Sequence, residues 1–313
     1  MRRLVLLLLV ALAGCRGGDD PSAEAPPPAP TVTATATTAP AGTAEPSGGG
    51  GAPFVGSLAV DPGDGTLIAG TGLGLYRLEP GGKRAQPFEG ELTTPTGSGA
   101  ISSNLVLRFS APGELIASGH PQGGGSGLPE DLGLIRSADG GATWEPVSLL
   151  GEEDLHALDV RGGVVAGQPV EAERVLVSTD GGRSFEERTP PAAPVDLDLD
   201  PADPRRMAIA TAEGLFVSRD GGQSWRQRDV LTTETHLAWS ETGPLYRVDA
   251  GGGVQASEDG GETWKQAGNA GGPPTTATVD AEGRLYVALA GGVIARSGDG
   301  GRSFEELVRL SAP

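Results

Sequence analysis

The sequence predicts an all-β fold built from a repeated four-strand unit, and two observations carry the prediction. First, the turn S-x-D-G-G-x-[ST]-[WF] occurs five times, and its serines lie 41, 40, 39 and 40 residues apart, at Ser137, Ser178, Ser218, Ser257 and Ser297. Second, short alternating runs rich in β-branched residues, separated by Gly, Asp and Pro, surround each turn. A period near 40 residues is typical of the blade of a β-propeller.

The blades are predicted by aligning the Gly-Gly pairs of the turns. In blade 4 the pattern predicts strands over 195–200, 206–211, 214–219 and 224–229. Blade 1 keeps this plan, although its turn has become Glu79-Pro80-Gly81-Gly82, as is common in a terminal repeat. The sequence therefore predicts a six-bladed β-propeller over residues 54–313.

Blade 2 is longer than the others. Its surplus residues are 91–103 and 121–132. Insertions in repeat proteins fall in loops and often on the binding face, so these segments are candidates for a binding role; a neutral surface insertion is the alternative.

The amino terminus predicts export. Two arginines and the apolar run Leu4 to Ala13 have the order of a secretory signal, and Leu12-Ala13-Gly14-Cys15 resembles a bacterial lipobox. We expect residues 1–15 to be a lipoprotein signal, with Cys15 lipidated; an ordinary cleaved signal with a stray cysteine is the alternative. Cys15 is the only cysteine, so no intramolecular disulfide can form. This predicts an extracytoplasmic protein that is lipid-anchored to the bacterial cell membrane.

Residues 16–53 are dominated by Pro, Ala, Thr, Gly and Ser and contain no apolar periodicity, which predicts a disordered tether. The formal net charge is −18, and removal of the signal makes the chain two units more negative. Because such a surface repels phosphate backbones, nucleic acid is not expected as a partner. No cofactor is expected, since the sequence has no phosphate-binding Gly-rich loop before a helix and no Cys/His cluster.

One end of the predicted propeller is the candidate binding face. The first strands of all blades begin at this end, and the second strands finish there. The strand assignments place all three histidines at it, together with nearby acids, so the candidate residues are His120, Asp154, His156, Asp196, Glu234 and His236. Asp196 is expected at the place in blade 4 that Asp154 holds in blade 3. Imidazole and carboxylate groups together suit a divalent metal or a polar ligand, whereas a polar channel mouth without a ligand is the alternative.

The repeated turn resembles the Asp-box, also called the bacterial neuraminidase repeat. Its aspartate can accept backbone N–H groups across a hairpin, and its glycines allow positive φ. We interpret the aspartates as structural; a calcium role is the alternative, although each turn offers a single carboxylate. These residues are Asp139, Asp180, Asp220, Asp259 and Asp299.

The Asp-box resemblance also implies the sialidase-like superfamily, whose members use three arginines, a tyrosine with a glutamate partner, and an aspartic acid. The nearest strings to the family's Phe/Tyr-Arg-Ile-Pro segment begin at Tyr76 and Tyr246, and neither contains the proline. Tyr246 and Tyr286 recur at one repeat position, which favours packing over catalysis. A hydrolase would have to use acids among Glu153, Asp154, Asp196 and Glu234.

A closer resemblance covers the blade region. The stretches 115–121, 128–135, 137–144 and 148–158 resemble a group of actinobacterial and Bacillus lipoproteins known as F510_1955 family glycosylhydrolases. That group tends to carry His-x-His-Gly on its first strand, where this chain has Val55-Gly56-Ser57-Leu58. The chain is more distantly similar to the Ycf48/Hcf136 photosystem assembly propellers, which bind protein through a basic patch, and the acidic balance here argues against the same partner.

These observations favour a membrane-anchored propeller that binds an unknown protein or glycan without catalysis. A glycoside hydrolase resembling the exo-sialidases and a metal-binding propeller using His120, His156 and His236 are the alternatives.

Overall fold

The structure is a computed structural model that describes residues 52–101, 105–121, 127–170, 172–231 and 233–311. The described residues form strands and turns and contain no helix. The strands make six sheets arranged around an axis, which confirms the predicted fold class. The chain is a six-bladed β-propeller. Residues 1–51, including Cys15 and nearly all of the expected tether, lie outside the described residues.

Twenty-six strands are assigned in the described residues. Those of blades 1 to 3 are β1 (Val55–Val60), β2 (Leu67–Thr71), β3 (Gly74–Leu78), β4 (Gln86–Phe88), β5 (Gly90–Thr94), β6 (Gly97–Ile101), β7 (Leu105–Ala111), β8 (Glu114–Gly119), β9 (Leu134–Ser137), β10 (Thr143–Ser148), β11 (Leu155–Arg161), β12 (Val164–Pro169), β13 (Val175–Ser178) and β14 (Glu186–Arg188). Those of blades 4 to 6 are β15 (Pro194–Leu199), β16 (Met207–Thr211), β17 (Gly214–Ser218), β18 (Arg226–Asp229), β19 (Thr235–Trp239), β20 (Leu245–Asp249), β21 (Gly253–Ser257), β22 (Lys265–Asn269), β23 (Pro274–Val279), β24 (Leu285–Leu289), β25 (Val293–Ser297) and β26 (Glu305–Arg309).

Five blades are four-stranded antiparallel meanders formed by consecutive strands. The first strands, β1, β7, β11, β15, β19 and β23, pack against one another in a closed ring around the axis. Since these strands all run in one direction, every first strand begins at the same end of the propeller. We call this end the histidine face; it also carries the loops between second and third strands and the loops between blades. The opposite end, with the hairpins between third and fourth strands, is the hairpin face.

Blade 2 has six strands in the order β6-β5-β10-β9-β8-β7. The surplus segment 91–103 contributes most of the hairpin β5–β6, and β5 pairs in parallel with β10 at the outer edge of the blade. This segment is therefore a pair of strands that extends the sheet and not the expected loop; since β5 runs parallel to β10, the turn between β5 and β6 lies at the histidine-face end. The surplus segment 121–132 does lie on the histidine face, and part of it, residues 122–126, is outside the described residues.

Within the described residues, blades 1 and 6 each consist of four consecutive strands and exchange none. The Thr275 hydroxyl of blade 6 donates to the Val55 carbonyl of blade 1 at 2.7 Å, and the Tyr76 hydroxyl donates to the Ser311 carbonyl at 3.1 Å. An apolar cluster that includes Leu58 of blade 1 and Ile294 of blade 6 fills the space between the two sheets. Packing and side-chain hydrogen bonds close the propeller.

The repeated turns stabilise the hairpin face. In blade 2 the backbone N–H of Gly141 donates to Ser137 Oγ at 2.8 Å, and Ser137 Oγ donates to Asp139 Oδ1 at 2.7 Å. Asp139 also accepts the backbone N–H and the hydroxyl of Thr143. Gly140 and Gly141 have φ of 72° and 94°, a region that L side chains rarely adopt, so glycine is required at both positions. The serine and aspartate contacts recur in the other four copies.

A search of the described residues for a helix long and apolar enough to cross a membrane finds none.

Candidate functional site

The junction between blades 2 and 3 brings two histidines and an aspartate together on the histidine face. His120 follows the second strand of blade 2, and Asp154 and His156 lie at the start of the first strand of blade 3. Asp154 Oδ2 lies 2.8 Å from His120 Nε2 and 2.7 Å from His156 Nε2. The two rings are nearly perpendicular, with centroids 6.5 Å apart. Residues separated by 36 positions in sequence thus form one cluster.

Asp154 is the buried member of this cluster. Its side chain has no solvent exposure, whereas the side chains of His120 and His156 are 36% and 55% exposed. Neither of the close contacts to the imidazoles has the alignment of a hydrogen bond, so both carboxylate oxygens of Asp154 lack a hydrogen-bond partner. A buried carboxylate without hydrogen bonds is costly, and such groups in proteins are normally paired with a cation.

The tautomer of His120 is fixed by a backbone contact. His120 Nδ1 lies 3.0 Å from the carbonyl oxygen of Glu130. Because a carbonyl can only accept, Nδ1 carries the hydrogen. In the uncharged form of the ring, Nε2 then presents its lone pair on the side where Asp154 Oδ2 lies. Two electron-rich atoms at 2.8 Å repel each other unless a proton or a metal ion is shared in their vicinity.

Two loops that hold the cluster are bonded to each other. The N–H of Gly151 donates to the Asp131 carbonyl at 2.8 Å, and the N–H of Gly133 donates to the Glu153 carbonyl at 3.1 Å. The N–H of Leu155 donates to Ser118 Oγ at 2.9 Å, which joins the first strand of blade 3 to the second strand of blade 2. The cluster is thus supported by ordered backbone on both sides.

Leu149 begins the loop that carries Asp154, and it is the one described non-glycine residue with positive φ, 59°. The N–H groups of Glu152 and Glu153 both donate to its carbonyl, which closes a tight turn. A side chain at Gly133 would collide with the Leu149 backbone, so the two loops approach each other closely. Strained backbone of this kind is concentrated at functional sites in proteins.

His236 lies outside this cluster. Its Nδ1 is 3.7 Å from Asp196 Oδ2, and that oxygen accepts the N–H of Leu237 at 2.9 Å. The strand pairings place Asp196 at the position that Ala157 holds in β11, and both strands have a bulge just before it, so the expectation that Asp196 matches Asp154 was wrong. Glu234 is exposed, and the ion pairs assigned among the described residues do not include one between it and any histidine.

A second polar cluster, which the sequence reasoning missed, occupies the axis. Asp159 has a fully buried side chain and lies 3.7 Å from the guanidinium groups of both Arg108 and Arg161. Burial, and then the nearby carboxyls of Asp159 and Asp196, raise the pKa of Asp198 well above its usual range. The signal that could have revealed this cluster is the presence of charged residues at inward positions of the first strands β7, β11 and β15.

The three tyrosines lie in the cores between blades. Tyr76, Tyr246 and Tyr286 are each 3–4% exposed. Burial, followed by a hydrogen bond to Asp280, raises the pKa of Tyr286 to about 12. Burial likewise raises the pKa of Tyr76 and Tyr246. Their burial and raised pKa values are those of packing residues, whereas an activated nucleophile would have a lowered pKa.

Comparisons with known proteins agree on the architecture. No protein-family model matches the chain, and no curated protein matches it in sequence. An ancestral GH74 enzyme superposes with a TM-score of 0.53 at 14% identity, over 84% of this chain and 39% of the enzyme. The chain therefore corresponds to well under half of that enzyme's length.

Two Ycf48 structures are also similar. Ycf48 bound to a D1 peptide has a TM-score of 0.46 at 18% identity, over 74% of this chain and 72% of Ycf48. Ycf48 from Cyanidioschyzon merolae has a TM-score of 0.48 at 14% identity, over 82% and 85% of the two chains. At these identities the similarity concerns the β-propeller fold alone.

Proposed function

We propose that this protein is a membrane-tethered, extracytoplasmic propeller that binds a protein partner through its histidine face. Cys15 would carry the lipid, residues 16–53 would form the tether, and the blades would present the binding surface. The tether and anchor are supported by the lipobox-like segment and the composition that follows it.

The observation that carries the proposal is the distribution of exposed apolar side chains. The large hydrophobic residues exposed among the described positions are Phe54, Leu73, Val170, Val195 and Val230, at 41–68% exposure. All five lie at starts of first strands, in loops between second and third strands, or in loops between blades. Each of these places belongs to the histidine face. We take their restriction to one face as support for an interaction surface there.

Charge indicates what kind of partner fits. The histidine-face loops carry the exposed carboxylates of Glu152, Glu173, Glu213 and Glu234. The only basic residue that the structure describes in these loops is Arg174, and it pairs with Glu153 and Glu187. An acidic surface with apolar contacts favours a partner that offers an apolar patch bordered by Lys and Arg, and it disfavours a second copy of this chain.

The shape of the face supports a protein over a glycan. Four of the five exposed apolar residues are aliphatic, whereas sugars are commonly held by stacking on aromatic rings. Between blades 4 and 5 a pocket of about 160 Å³ is lined by Val230, Leu231, Thr235 and Arg247, and it can accept one side chain. Its opening is on the histidine face beside the most exposed valine.

The experiment compares crosslinking from the two faces in the native envelope. A photo-crosslinking residue is introduced at Val230 or, as the matched control, at Ala142, an exposed position on the hairpin face. We expect Val230 crosslinks to a protein whose crosslinked peptide is apolar and flanked by Lys or Arg. Val195→Glu should reduce that product, and the charge-matched variant Ala142→Glu should leave it unchanged.

Three outcomes would overturn the proposal. These are crosslinks to a protein from position 142 only, glycan or self-adducts alone from position 230, and a product that is insensitive to Val195→Glu. The anchor is tested separately: Cys15→Ser should move the protein from the membrane fraction to the extracytoplasmic soluble fraction, and an unchanged distribution would contradict lipidation at Cys15.

A further inference from the structure

The geometry points to a divalent transition-metal site formed by His120 Nε2, His156 Nε2 and Asp154 Oδ2 at the junction of blades 2 and 3. This site is independent of the proposed protein partner, since it rests on contacts within the chain. Three donor atoms, two imidazole nitrogens and one carboxylate oxygen, lie within 4.8 Å of one another.

The first argument is the state of Asp154. Its side chain is fully buried, and neither oxygen has a hydrogen-bond partner, although Oδ2 lies within 2.8 Å of both imidazole nitrogens. A structural ion pair at such distances would align an N–H with the oxygen. The observed arrangement instead sets three donor atoms side by side, as they are when they share a cation.

The second argument is the contact behind His120. Histidines that bind metals usually donate the other ring N–H to a backbone carbonyl or a carboxylate. His120 Nδ1 lies 3.0 Å from the Glu130 carbonyl and 3.6 Å from Asp131 Oδ1, so both kinds of partner stand on the side of the ring away from Asp154. This contact orients Nε2 toward the cluster and leaves its lone pair for a ligand bond.

The donor set indicates the class of metal. Calcium and magnesium take oxygen ligands, whereas two imidazoles with one carboxylate suit Zn²⁺ and its first-row neighbours. Bonds of about 2.0–2.1 Å in a tetrahedral site place donor atoms about 3.3 Å apart, so the two rings need to open by roughly 0.5 Å from Asp154. Both rings are partly exposed and can make that movement.

The site would be open toward solvent. Three protein ligands leave at least one position of a tetrahedral shell for water or an external group. The exposed side of the cluster is the His156 ring, which is 55% exposed on the histidine face. The structure therefore predicts a metal that exchangeable ligands can reach.

The experiment uses the propeller with its tether, prepared without a His tag and stripped with a chelator. Titration with Zn²⁺ is followed by calorimetry, and Co²⁺ is used as the spectroscopic probe. We expect one ion per chain, a Co²⁺ visible spectrum typical of four- or five-coordinate nitrogen and oxygen ligation, and no binding of Ca²⁺ under the same conditions.

The three histidines provide matched variants. His156→Ala and His120→Ala should each weaken Zn²⁺ binding by at least about tenfold, while His236→Ala, whose histidine contacts Asp196 instead, should change it less than about twofold. Circular dichroism and the thermal midpoint establish that each variant is folded, and His156 is exposed enough that its removal leaves the core intact. Zinc bound at well under one ion per chain, or an equal loss in His236→Ala, would overturn the assignment.

Discussion

Asp198 and Asp159 are neighbouring buried aspartates at the axis, and the same substitution is expected to change the free energy of unfolding in opposite directions. Asp198 is buried beside the carboxyls of Asp159 and Asp196, its pKa is raised, and its Oδ2 lacks a hydrogen-bond partner. Asp159 lies between the guanidinium groups of Arg108 and Arg161 and accepts the N–H of Leu199 at 2.9 Å. The carboxyl of Asp198 thus destabilises the fold when it is ionised, whereas the carboxyl of Asp159 neutralises two cations.

The magnitudes follow from these contacts. Asp198→Asn removes a carboxyl whose ionised form is disfavoured by burial and by the neighbouring carboxyls, so at pH 7 we expect it to raise the free energy of unfolding by about 1–3 kcal/mol. Asp159→Asn leaves two guanidinium groups without their shared carboxyl. Because Arg108 and Arg161 are 13% and 21% exposed, the expected loss is roughly 1–3 kcal/mol, below the ~3–5 kcal/mol for a fully buried pair.

The pH dependence has a definite sign. The folded-state pKa of Asp198 is raised, so above the unfolded value of about 3.9 the native state binds more protons than the unfolded state, and stability falls as pH rises until the folded pKa is passed. Within that window the contribution is up to about 1.4 kcal/mol per pH unit. Asp198→Asn should remove this slope, so the difference between variant and wild type should grow from about pH 4 upward.

Urea denaturation at several pH values between 4 and 9 measures both quantities, with thermal midpoints as a second assay; about 2–4 °C is expected per kcal/mol in a domain of this size. A destabilised Asp198→Asn variant, or a difference from wild type that is independent of pH, would refute the raised pKa of Asp198. A neutral Asp159→Asn variant would show that the arginines find other partners.

Three further predictions concern the turns and the ring closure. Ser257→Ala should destabilise by about 1–3 kcal/mol because the buried N–H of Gly261 loses its acceptor at 2.7 Å. The control in urea unfolding is a serine-to-alanine change at Ser98, which is exposed and lies outside the repeated turns; a change equal to the control's would contradict the role of the serine. Below pH 4 the turn aspartates should dominate the pH dependence of stability. Burial would raise the pKa of Asp139, but its hydrogen bonds outweigh burial and lower the pKa to about 2. The stability that Asp139 contributes is therefore present above about pH 4 and is lost as the pH falls toward 2, which an acid titration followed by circular dichroism measures. Thr275→Val should cost about 0.5–1.5 kcal/mol and increase hydrogen exchange in β1 and β23, because it removes the 2.7 Å bond between blades 6 and 1; exchange that rises equally in all blades would contradict a local role in closure.

The repeat made the fold predictable, because strands and turns recur at a constant period and each blade can be aligned on the others. The alignment of the blades placed all three histidines on one face. It could not show that His120 and His156 contact Asp154 whereas His236 does not. That difference depends on strand register: β11 has a bulge at His156, whereas β19 pairs with β20 around His236 without one, and such irregularities are not visible in the residue pattern. The outer hairpin β5–β6 escaped prediction for a similar reason, since edge pairing depends on tertiary contact with β10.

The two faces of the propeller differ in how much their sequences can vary. On the hairpin face each repeated turn uses a serine, an aspartate and two glycines for contacts that any replacement would break, and all five turns have the same residues at those positions. On the histidine face the loops share no such motif, and they contain the exposed apolar residues, the strained Leu149 and the cluster around Asp154. Because the repeated turns stabilise the blades from the hairpin face, the loops of the histidine face can contain a buried carboxylate without hydrogen bonds. A loop that was itself needed for blade stability could not carry that cost. The junction of blades 2 and 3 is therefore the part of the fold in which we expect function, and not blade stability, to determine the residues.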